Sequence, residues 1–539
     1  MKSIQTREEA LTARYELELF MIGTPRGYLG SGGKLLARIP PAALEWSVEW
    51  GRLILTWWDD EQSQRVRITG YGIERGRVVL LAVRGLTTAP MKLVIDREVE
   101  GQSPGLEAAP EELPARRLWY AERLAGLIDR WMPEVRIDGW SVGADQPRQV
   151  PGRYARLRLT RRGEKILALG VSAAEEHPTV DGLIAAGLIW QQSYNRDRSP
   201  ERQARQLWFF PPRTRSLTVI ERISFLRIGD GRISTSCFEV DEIRGEISEV
   251  RPVSQFELLS AGPQDLLWPE FPALVERLDR IGLEWHRRII AMAPALIEPR
   301  YRPGRRLIGY TVHGLEFARL PIDDGHSAEF GVSGDPERMG RRGRHLTERS
   351  LPELHRLVRQ LVTIRRAGSA DRRHPFYRLR AEGWLESLLR RNIRALDPRL
   401  DPRFIYSQIP AWHADERSVI DLLGMVDDRV DSADRGRLVV IEIKAAEDPQ
   451  LPLQGLDYWM RVEQARLQGE FRRRGLFAGA RIADRSPLLY LVAPRLRFHR
   501  SFTTIARSLH PDVEGLRIGL NSNWRDGVQV RSFELLREL

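Results

Sequence analysis

The order of apolar patterns in the last third of the chain constrains its fold more than any other feature. Two segments with apolar residues at helical spacing precede three short strand-like runs, and another helical segment precedes a final strand-like run. The helical segments are Leu351–Arg366, Pro375–Arg394 and Leu453–Leu467, and the strand-like runs are Phe404–Trp412, Val419–Val426, Leu438–Ala445 and Pro487–Val492. This order predicts an α-β-β-β-α-β domain over residues 351–539.

The rest of the chain predicts further domains, because 539 residues exceed what one core usually holds. Short apolar runs between glycine-rich and charged turns indicate a β-rich domain over residues 1–110 and a second β-rich domain with helices over 111–320. The polar, glycine-rich segment 321–350 is predicted to be a linker. No internal repeat is apparent at a clear period, so the fold class is an α+β multidomain protein.

Charge and cysteine content narrow the class of protein. Lys and Arg number 84 against 73 Asp and Glu, a net charge of +11 that favours phosphate-bearing partners. Cys237 is the only cysteine, which excludes an intramolecular disulfide and a cysteine-rich zinc site and fits a reducing compartment. The longest apolar runs are too short to cross a bilayer, so we expect a cytoplasmic protein without a membrane partner.

Acidic residues inside two apolar strands indicate a functional site. Asp421 interrupts the run Ser418–Leu423, where an unpaired buried carboxylate would be costly. In the next run, Glu442 and Lys444 project from the same face because side chains alternate along a strand. Neighbouring strands would bring Asp421 and Glu442 to one point, where Mg²⁺ or Mn²⁺ would neutralise both. Lys444 would orient or deprotonate a water molecule, or stabilise a developing phosphate charge.

Two helices offer further side chains at this point. Gln454 and Tyr458 stand four residues apart and share a helix face, within reach of phosphate or a metal-bound water. Glu382 and Glu386 have the same spacing on an upstream helix, and either could supply another metal ligand. Carboxylates around a magnesium ion would support phosphodiester hydrolysis.

Together these residues resemble the PD-(D/E)XK nuclease superfamily, and the Q-x-x-x-Y element is similar to that of its RecB-like branch. The resemblance covers roughly residues 351–539 and implies a restriction-endonuclease-like αβββαβ core with Mg²⁺- or Mn²⁺-dependent cleavage of nucleic acid. It implies Asp421 and Glu442 as metal ligands, Lys444 as the catalytic lysine and Gln454 with Tyr458 in substrate placement. A glutamate on the helix, Glu386 or Glu382, would complete the metal site. The chain departs from the common pattern in having no proline before Asp421.

Arginine runs near these motifs suit phosphate contacts through their planar guanidinium groups. The expected nucleic-acid contacts are Arg390, Arg391, Arg472, Arg473 and Arg474. The predicted function is a metal-dependent nuclease acting on DNA or RNA, with DNA the expected substrate and the N-terminal domains choosing substrates or protein partners. Two alternatives are a non-catalytic nucleic-acid-binding or assembly protein that keeps the fold, and a component of a defence or mobile-element system.

Overall fold

The chain forms two compact units in the computed structural model, one of Met1–Ile223 with Ile228–Pro252 and one of Ser224–Arg227 with Val253–Leu539. The structure describes residues 2–21, 27–31, 34–39, 44–49, 51–59, 62–74, 77–83, 91–96, 113–142, 153–175, 182–227, 234–242, 244–251, 254–260, 275, 277–302, 306–332, 343–413, 416–427 and 435–539. Among these residues, no helix is both long and apolar enough to cross a membrane. The architecture is mixed α+β with several sheets, as the sequence predicts.

The first unit begins with an antiparallel sheet and one helix, α1 (Arg7–Met21). Its strands are β1 (Lys2–Ser3), β2 (Gly27–Ser31), β3 (Lys34–Ile39), β4 (Glu45–Glu49), β5 (Arg52–Asp59), β6 (Gln62–Glu74), β7 (Arg77–Val83) and β8 (Met91–Asp96). Apolar side chains alternate in and out along these strands, and the inward set forms a core with α1. The boundary predicted at residue 110 lies outside the described residues.

A six-stranded mixed sheet completes the first unit. Its elements are α2 (Leu113–Trp131), β9 (Val135–Val142), β10 (Ala155–Arg161), β11 (Glu164–Gly170), α3 (Leu183–Asn195), β12 (Gln206–Phe210), α4 (Ser216–Ser224), β13 (Ser234–Asp241) and β14 (Glu246–Val250). Strands β9, β10 and β11 form an antiparallel meander, β12 and β13 follow in parallel, and β14 returns antiparallel.

The second unit opens with two helices and a five-stranded antiparallel sheet. These elements are α5 (Gln255–Ser260), α6 (Arg280–Ala291), β15 (Ile297–Arg302), β16 (Leu307–Val312), β17 (Leu315–Pro321), β18 (Glu329–Phe330) and β19 (Arg344–His345). The range 111–320, predicted as one domain, therefore contains elements of both units. The prediction of a linker over 321–350 is wrong for the residues of this range that the structure describes. There, β18 and β19 pair within the sheet, and Ala328, Phe330 and Leu346 are buried.

The remaining elements form the α-β-β-β-α-β succession that the sequence predicts. They are α7 (Leu351–Ile364), α8 (Pro375–Arg378), α9 (Ala381–Arg391), β20 (Tyr406–His413), β21 (Glu416–Asp427), β22 (Arg435–Ile443), α10 (Leu451–Leu467), α11 (Glu470–Arg473), β23 (Arg481–Ile482), β24 (Leu488–Pro494), α12 (Phe502–Ala506), β25 (Gly515–Leu520) and β26 (Val530–Leu535). Strands β20, β21 and β22 run antiparallel, β24 and β25 follow in parallel, and β26 is antiparallel.

One prediction for this region needs correction, because the helix expected over Pro375–Arg394 is broken between α8 and α9. Arg380 has a left-handed φ of 49° at the break. The buried Arg365 guanidinium donates hydrogen bonds to the carbonyls of Leu379 (2.8 Å) and Arg380 (3.4 Å). At Leu379 a side chain thus takes the place of the amide donor that an unbroken helix would supply, whereas the Arg380 carbonyl also accepts from the Trp384 N–H at 3.1 Å.

A single apolar core joins both sheets of the second unit. Tyr310 and Phe317 of the five-stranded sheet, Leu354 of α7, Leu385 of α9 and Ile441 of β22 are all 0 % exposed and belong to one cluster. The helix that carries Glu382 and Glu386 is therefore held between two sheets.

Candidate active site

Adjacent antiparallel strands bring the predicted acidic pair together. Leu422 of β21 pairs with Ile441 of β22, so the next step in the same register sets Asp421 opposite Glu442. The backbone N–H of Ile443 donates a 2.9 Å hydrogen bond to Asp421 Oδ2. Glu442 is 2 % exposed, and Asp421 is partly buried. The two carboxyls thus share one small, largely dehydrated space on the sheet.

Burial and mutual repulsion perturb both carboxyls. Loss of hydration raises the pKa of Asp421 well above its ordinary value, and the neighbouring Glu442 charge raises it further. Burial likewise raises the pKa of Glu442, although Lys444 and a hydrogen bond with Asp421 oppose that rise. The pair consequently favours a shared proton, or a cation in its place, over two free negative charges.

Lys444 is the cation within reach. Its Nζ donates to Glu442 Oε1 at 3.0 Å, and its backbone N–H donates to the Val492 carbonyl of β24 at 2.9 Å. Burial alone would lower the pKa of Lys444, but the charges of Glu442 and the other nearby carboxylates outweigh burial and raise the pKa above its usual value. The side chain is therefore an ammonium, which suits orienting water or stabilising a phosphate charge better than abstracting a proton.

The first turns of α10 face the same pair. Burial raises the pKa of Tyr458 well above its ordinary value, and the Glu442 and Asp421 charges add to the effect, so the phenol lies within their field. Gln454 precedes Tyr458 by one turn on the same helix face. The structure thus brings together four of the residues predicted for the site, Asp421, Glu442, Lys444 and Tyr458, and places Gln454 one turn before Tyr458 on α10.

The two helix glutamates have different surroundings. Glu386 is 1 % exposed and pairs with Arg300 Nη2 of β15 at 2.6 Å, yet burial still raises its pKa. Its charge contributes to the raised pKa of Asp421. Glu382 is exposed, and its charge acts on Lys444 and on Glu442. Both glutamates therefore stand within electrostatic range of the acidic pair, but Glu386 already has a cation partner.

Three buried oxygen atoms provide the test of whether a metal ion fits here. Among the residues that the structure describes, no hydrogen-bond donor reaches Glu442 Oε2, Gln454 Oε1 or Glu386 Oε1. Leaving such acceptors unsatisfied costs about 1–3 kcal/mol each. A hard cation with its water molecules would supply what they lack, and Mg²⁺ is commonly held by one or two carboxylates plus water and phosphate oxygens. Asp421 and Glu442 thus fit a magnesium or manganese ion.

The described residues do not form a complete set of protein ligands around a metal ion. Across the described ranges, no group of three or more His, Cys, Asp or Glu side chains is arranged to hold a metal ion. A metal ion held by Asp421 and Glu442 would therefore take its remaining ligands from water and substrate.

The predicted arginine contacts are mostly engaged with glutamates. Arg390 Nη2 lies 2.5 Å and Arg391 Nε 2.7 Å from the Glu298 carboxylate of β15. Arg473 and Arg474 both pair with Glu470, at 2.7 Å and 2.9 Å. Arg472 is exposed beside them. The structure places these arginines at the protein surface or its margin.

Glu298 and Arg300 were missed by the sequence interpretation. They lie in another sheet, about ninety residues before the site helix, and Ser387 of α9 donates a 3.0 Å hydrogen bond to Glu298. The sequence around Glu298 and Arg300 carries no motif, because their role depends on how two sheets pack. The chain matches no protein-family model, no curated protein and no solved structure.

Proposed function

We propose that the chain is a metal-dependent nuclease of the PD-(D/E)XK type, hydrolysing phosphodiester bonds of nucleic acid, with DNA as the expected substrate. The observation that carries the proposal is the junction of β21 and β22, where Asp421, Glu442 and Lys444 meet. The succession of α9, β20, β21, β22, α10 and β24 supports a restriction-endonuclease-like domain.

The roles follow from the charge of each group. Asp421 and Glu442 would hold magnesium or manganese, which when bound acts as a Lewis acid and lowers the pKa of a coordinated water. Lys444, already an ammonium, would fix the attacking water and stabilise charge on the phosphate. Gln454 would position water or a phosphate oxygen through its amide. Tyr458, with its raised pKa, stays a neutral phenol and would donate a hydrogen bond.

The test compares cleavage by matched single variants of the full chain. Labelled single- and double-stranded DNA and RNA are incubated with Mg²⁺, Mn²⁺ or EDTA. Glu442→Gln and Lys444→Gln should each reduce the rate by about 10²-fold or more, as loss of a charge-stabilising group does elsewhere. Asp512→Asn, which changes an exposed carboxylate of the same unit, should cleave like the wild type.

The outcomes separate catalysis from binding. Metal-dependent cleavage that disappears in Glu442→Gln and Lys444→Gln supports the nuclease. Wild-type protein that binds nucleic acid but cuts none of the substrates with either metal would favour the non-catalytic alternative.

A further inference from the structure

Two sheets in different parts of the chain share one strand order. In both the β9–β14 sheet and the β20–β26 sheet, three antiparallel strands lead through a helix to a parallel strand, a second parallel strand follows, and the last strand returns antiparallel. Each succession starts from a helix, α2 or α9. The sequence showed no repeat at a clear period, but the six main strands of residues 113–250 have counterparts in the same order in residues 381–535, where α11 and β23 are additional.

A backbone hydrogen bond at the end of the third strand fixes the register between them. The N–H of Val171 donates to the Phe210 carbonyl at 3.2 Å, and the N–H of Lys444 donates to the Val492 carbonyl at 2.9 Å. In each case the donor directly follows the third strand and the acceptor lies on its parallel neighbour. Val171 thus corresponds to Lys444.

The same register identifies the counterparts of the acidic pair. Two residues before Val171, Leu169 takes the place of Glu442. Arg156 lies opposite Leu169 across the antiparallel strands, as Asp421 lies opposite Glu442. A guanidinium and an isobutyl group therefore occupy the positions of the two carboxylates.

The crossover helices confirm this correspondence independently. A Cβ atom on Gly187 of α3 would fall 2.6 Å from the Phe209 ring, and one on Gly455 of α10 would fall 2.6 Å from a Leu491 methyl. Phe209 and Leu491 each stand one residue before the acceptor that fixed the register. With the glycines aligned, the matched pairs are Leu183 and Leu451, Leu188 and Leu456, and Trp190 and Tyr458.

A sequence match follows the parallel strand in both copies. Short 3₁₀ turns at Arg213–Arg215 and Arg495–Arg497 follow β12 and β24. The next segments share Ser, Thr, Ile and Arg at alternate positions, namely Ser216, Thr218, Ile220 and Arg222 against Ser501, Thr503, Ile505 and Arg507. Shared topology, register, glycine packing and local sequence together indicate an internal duplication.

The first copy has a small basic cavity on the α2 face of its sheet, near the strand ends at which the second copy has its acidic pair, whereas Arg156 lies on the other face beside Trp190 of α3. The cavity lies between the first turns of α2, the start of β10 and the segment after β11, and its polar lining is Arg116, Arg117, Arg153, Ser172 and Glu175 among neighbouring apolar atoms. Arg117 Nε donates to Glu175 at 2.6 Å, which fixes its guanidinium, while Arg116 is partly buried and Arg153 is exposed.

From these observations we infer that residues 113–250 are a duplicate of the candidate nuclease domain that binds nucleic-acid phosphates without cleaving them. Arg156 is 2 % exposed, and its guanidinium lies 5.5 Å from the Trp190 ring centre. A fixed positive charge there repels a divalent cation, so hydrolysis falls to the second copy alone. The cavity arginines suit phosphate through their planar, multiple donors. The choice of nucleic acid as the ligand rests on the proposed function.

Binding without metal tests this inference separately from cleavage. The full chain and a double variant, Arg116→Glu with Arg153→Glu, are titrated against fluorescein-labelled single- and double-stranded DNA in EDTA, between about 50 and 200 mM salt. Loss of two phosphate contacts should weaken binding about tenfold at the lower salt and reduce the log–log salt slope by about 2. Arg202→Glu with Arg205→Glu, which reverses two exposed charges elsewhere in the same unit, is the matched control.

Each outcome decides one proposal. Weaker binding and a flatter slope in the cavity variant alone support the inference, even if the wild type cleaves nothing. Equal affinities for the cavity variant and its control overturn it, even if the wild type cleaves DNA. Metal-dependent cleavage that survives Asp421→Asn with Glu442→Gln also overturns it, because the first copy would then be catalytic.

Discussion

Metal binding should stabilise the second unit, and the unsatisfied carboxylate oxygen of the site sets the size of this effect. One orphaned acceptor of the acidic pair, Glu442 Oε2, costs about 1–3 kcal/mol, so satisfying it with a bound cation is worth about that much. A ligand at a hundred times its Kd stabilises a fold by about 2.7 kcal/mol, within that interval. For a unit of this size, 1 kcal/mol corresponds to about 2–4 °C in Tm, so Mg²⁺ or Mn²⁺ should raise the transition by about 5–10 °C over EDTA.

The pH dependence has a definite sign. Because the folded pKa values of Asp421 and Glu442 are raised, the contribution of the pair to the free energy of unfolding is complete below the unfolded pKa values, near 4. That contribution is lost as the pH rises through the folded values. Metal-free protein should therefore be increasingly destabilised by this pair as the pH rises above the unfolded pKa values, and the metal-induced rise in Tm should grow in the same direction.

Differential scanning calorimetry or fluorimetry of the wild type, Asp421→Asn and the exposed control Asp512→Asn measures both effects. Asp421→Asn should lose the metal-induced rise and be more stable than the wild type in EDTA at pH 8, while Asp512→Asn should behave like the wild type. A wild-type transition that is the same in Mg²⁺, Mn²⁺ and EDTA at every pH would refute the reasoning.

Two further predictions concern packing and reactivity. Gly455→Ala should destabilise the second unit by about 1–2 kcal/mol in urea unfolding, because overpacking against Leu491 exceeds the gain in helix propensity. Gly126→Ala in α2, where no atom lies within 4 Å of the added Cβ, should instead stabilise the first unit by about 0.5–1 kcal/mol. Equal effects at the two glycines would contradict this. Burial raises the pKa of the Cys237 thiol to about 12, so a thiol reagent at pH 8 should react only after denaturant unfolds the chain; rapid labelling of native protein would count against that burial.

The sequence predicts the second αβββαβ region well because its information there is local. Period-two apolar runs define β21 and β22, and the polar interruptions at Asp421, Glu442 and Lys444 mark one face of each strand. Antiparallel neighbours then follow from the short connection between them. Strand identity and the composition of the site are thus both visible without a structure.

Features that depend on distant packing were not visible. The break before α9 arises from Arg365, whose guanidinium competes for helix carbonyls. The charge state of Glu386 depends on Arg300 from another sheet. The duplication was hidden because the residues that define the site, such as Asp421 and its counterpart Arg156, are the ones that differ. Gly187 and Gly455 occupy equivalent packing positions, but this equivalence can be recognised only after the two folds are aligned.

The contact between Gly314 and Gly383 limits how this architecture can be cut or recombined. A Cβ atom on Gly314, in the β16–β17 turn, would lie 2.2 Å from the Gly383 carbonyl oxygen, so two backbones meet without side chains between them. Gly383 stands directly after Glu382 on α9. The five-stranded sheet therefore packs closely against the helix that carries the site glutamates and positions it. A graft that began at residue 351 would omit this sheet. A transferable unit must therefore contain the five-stranded sheet as well as the domain over residues 351–539.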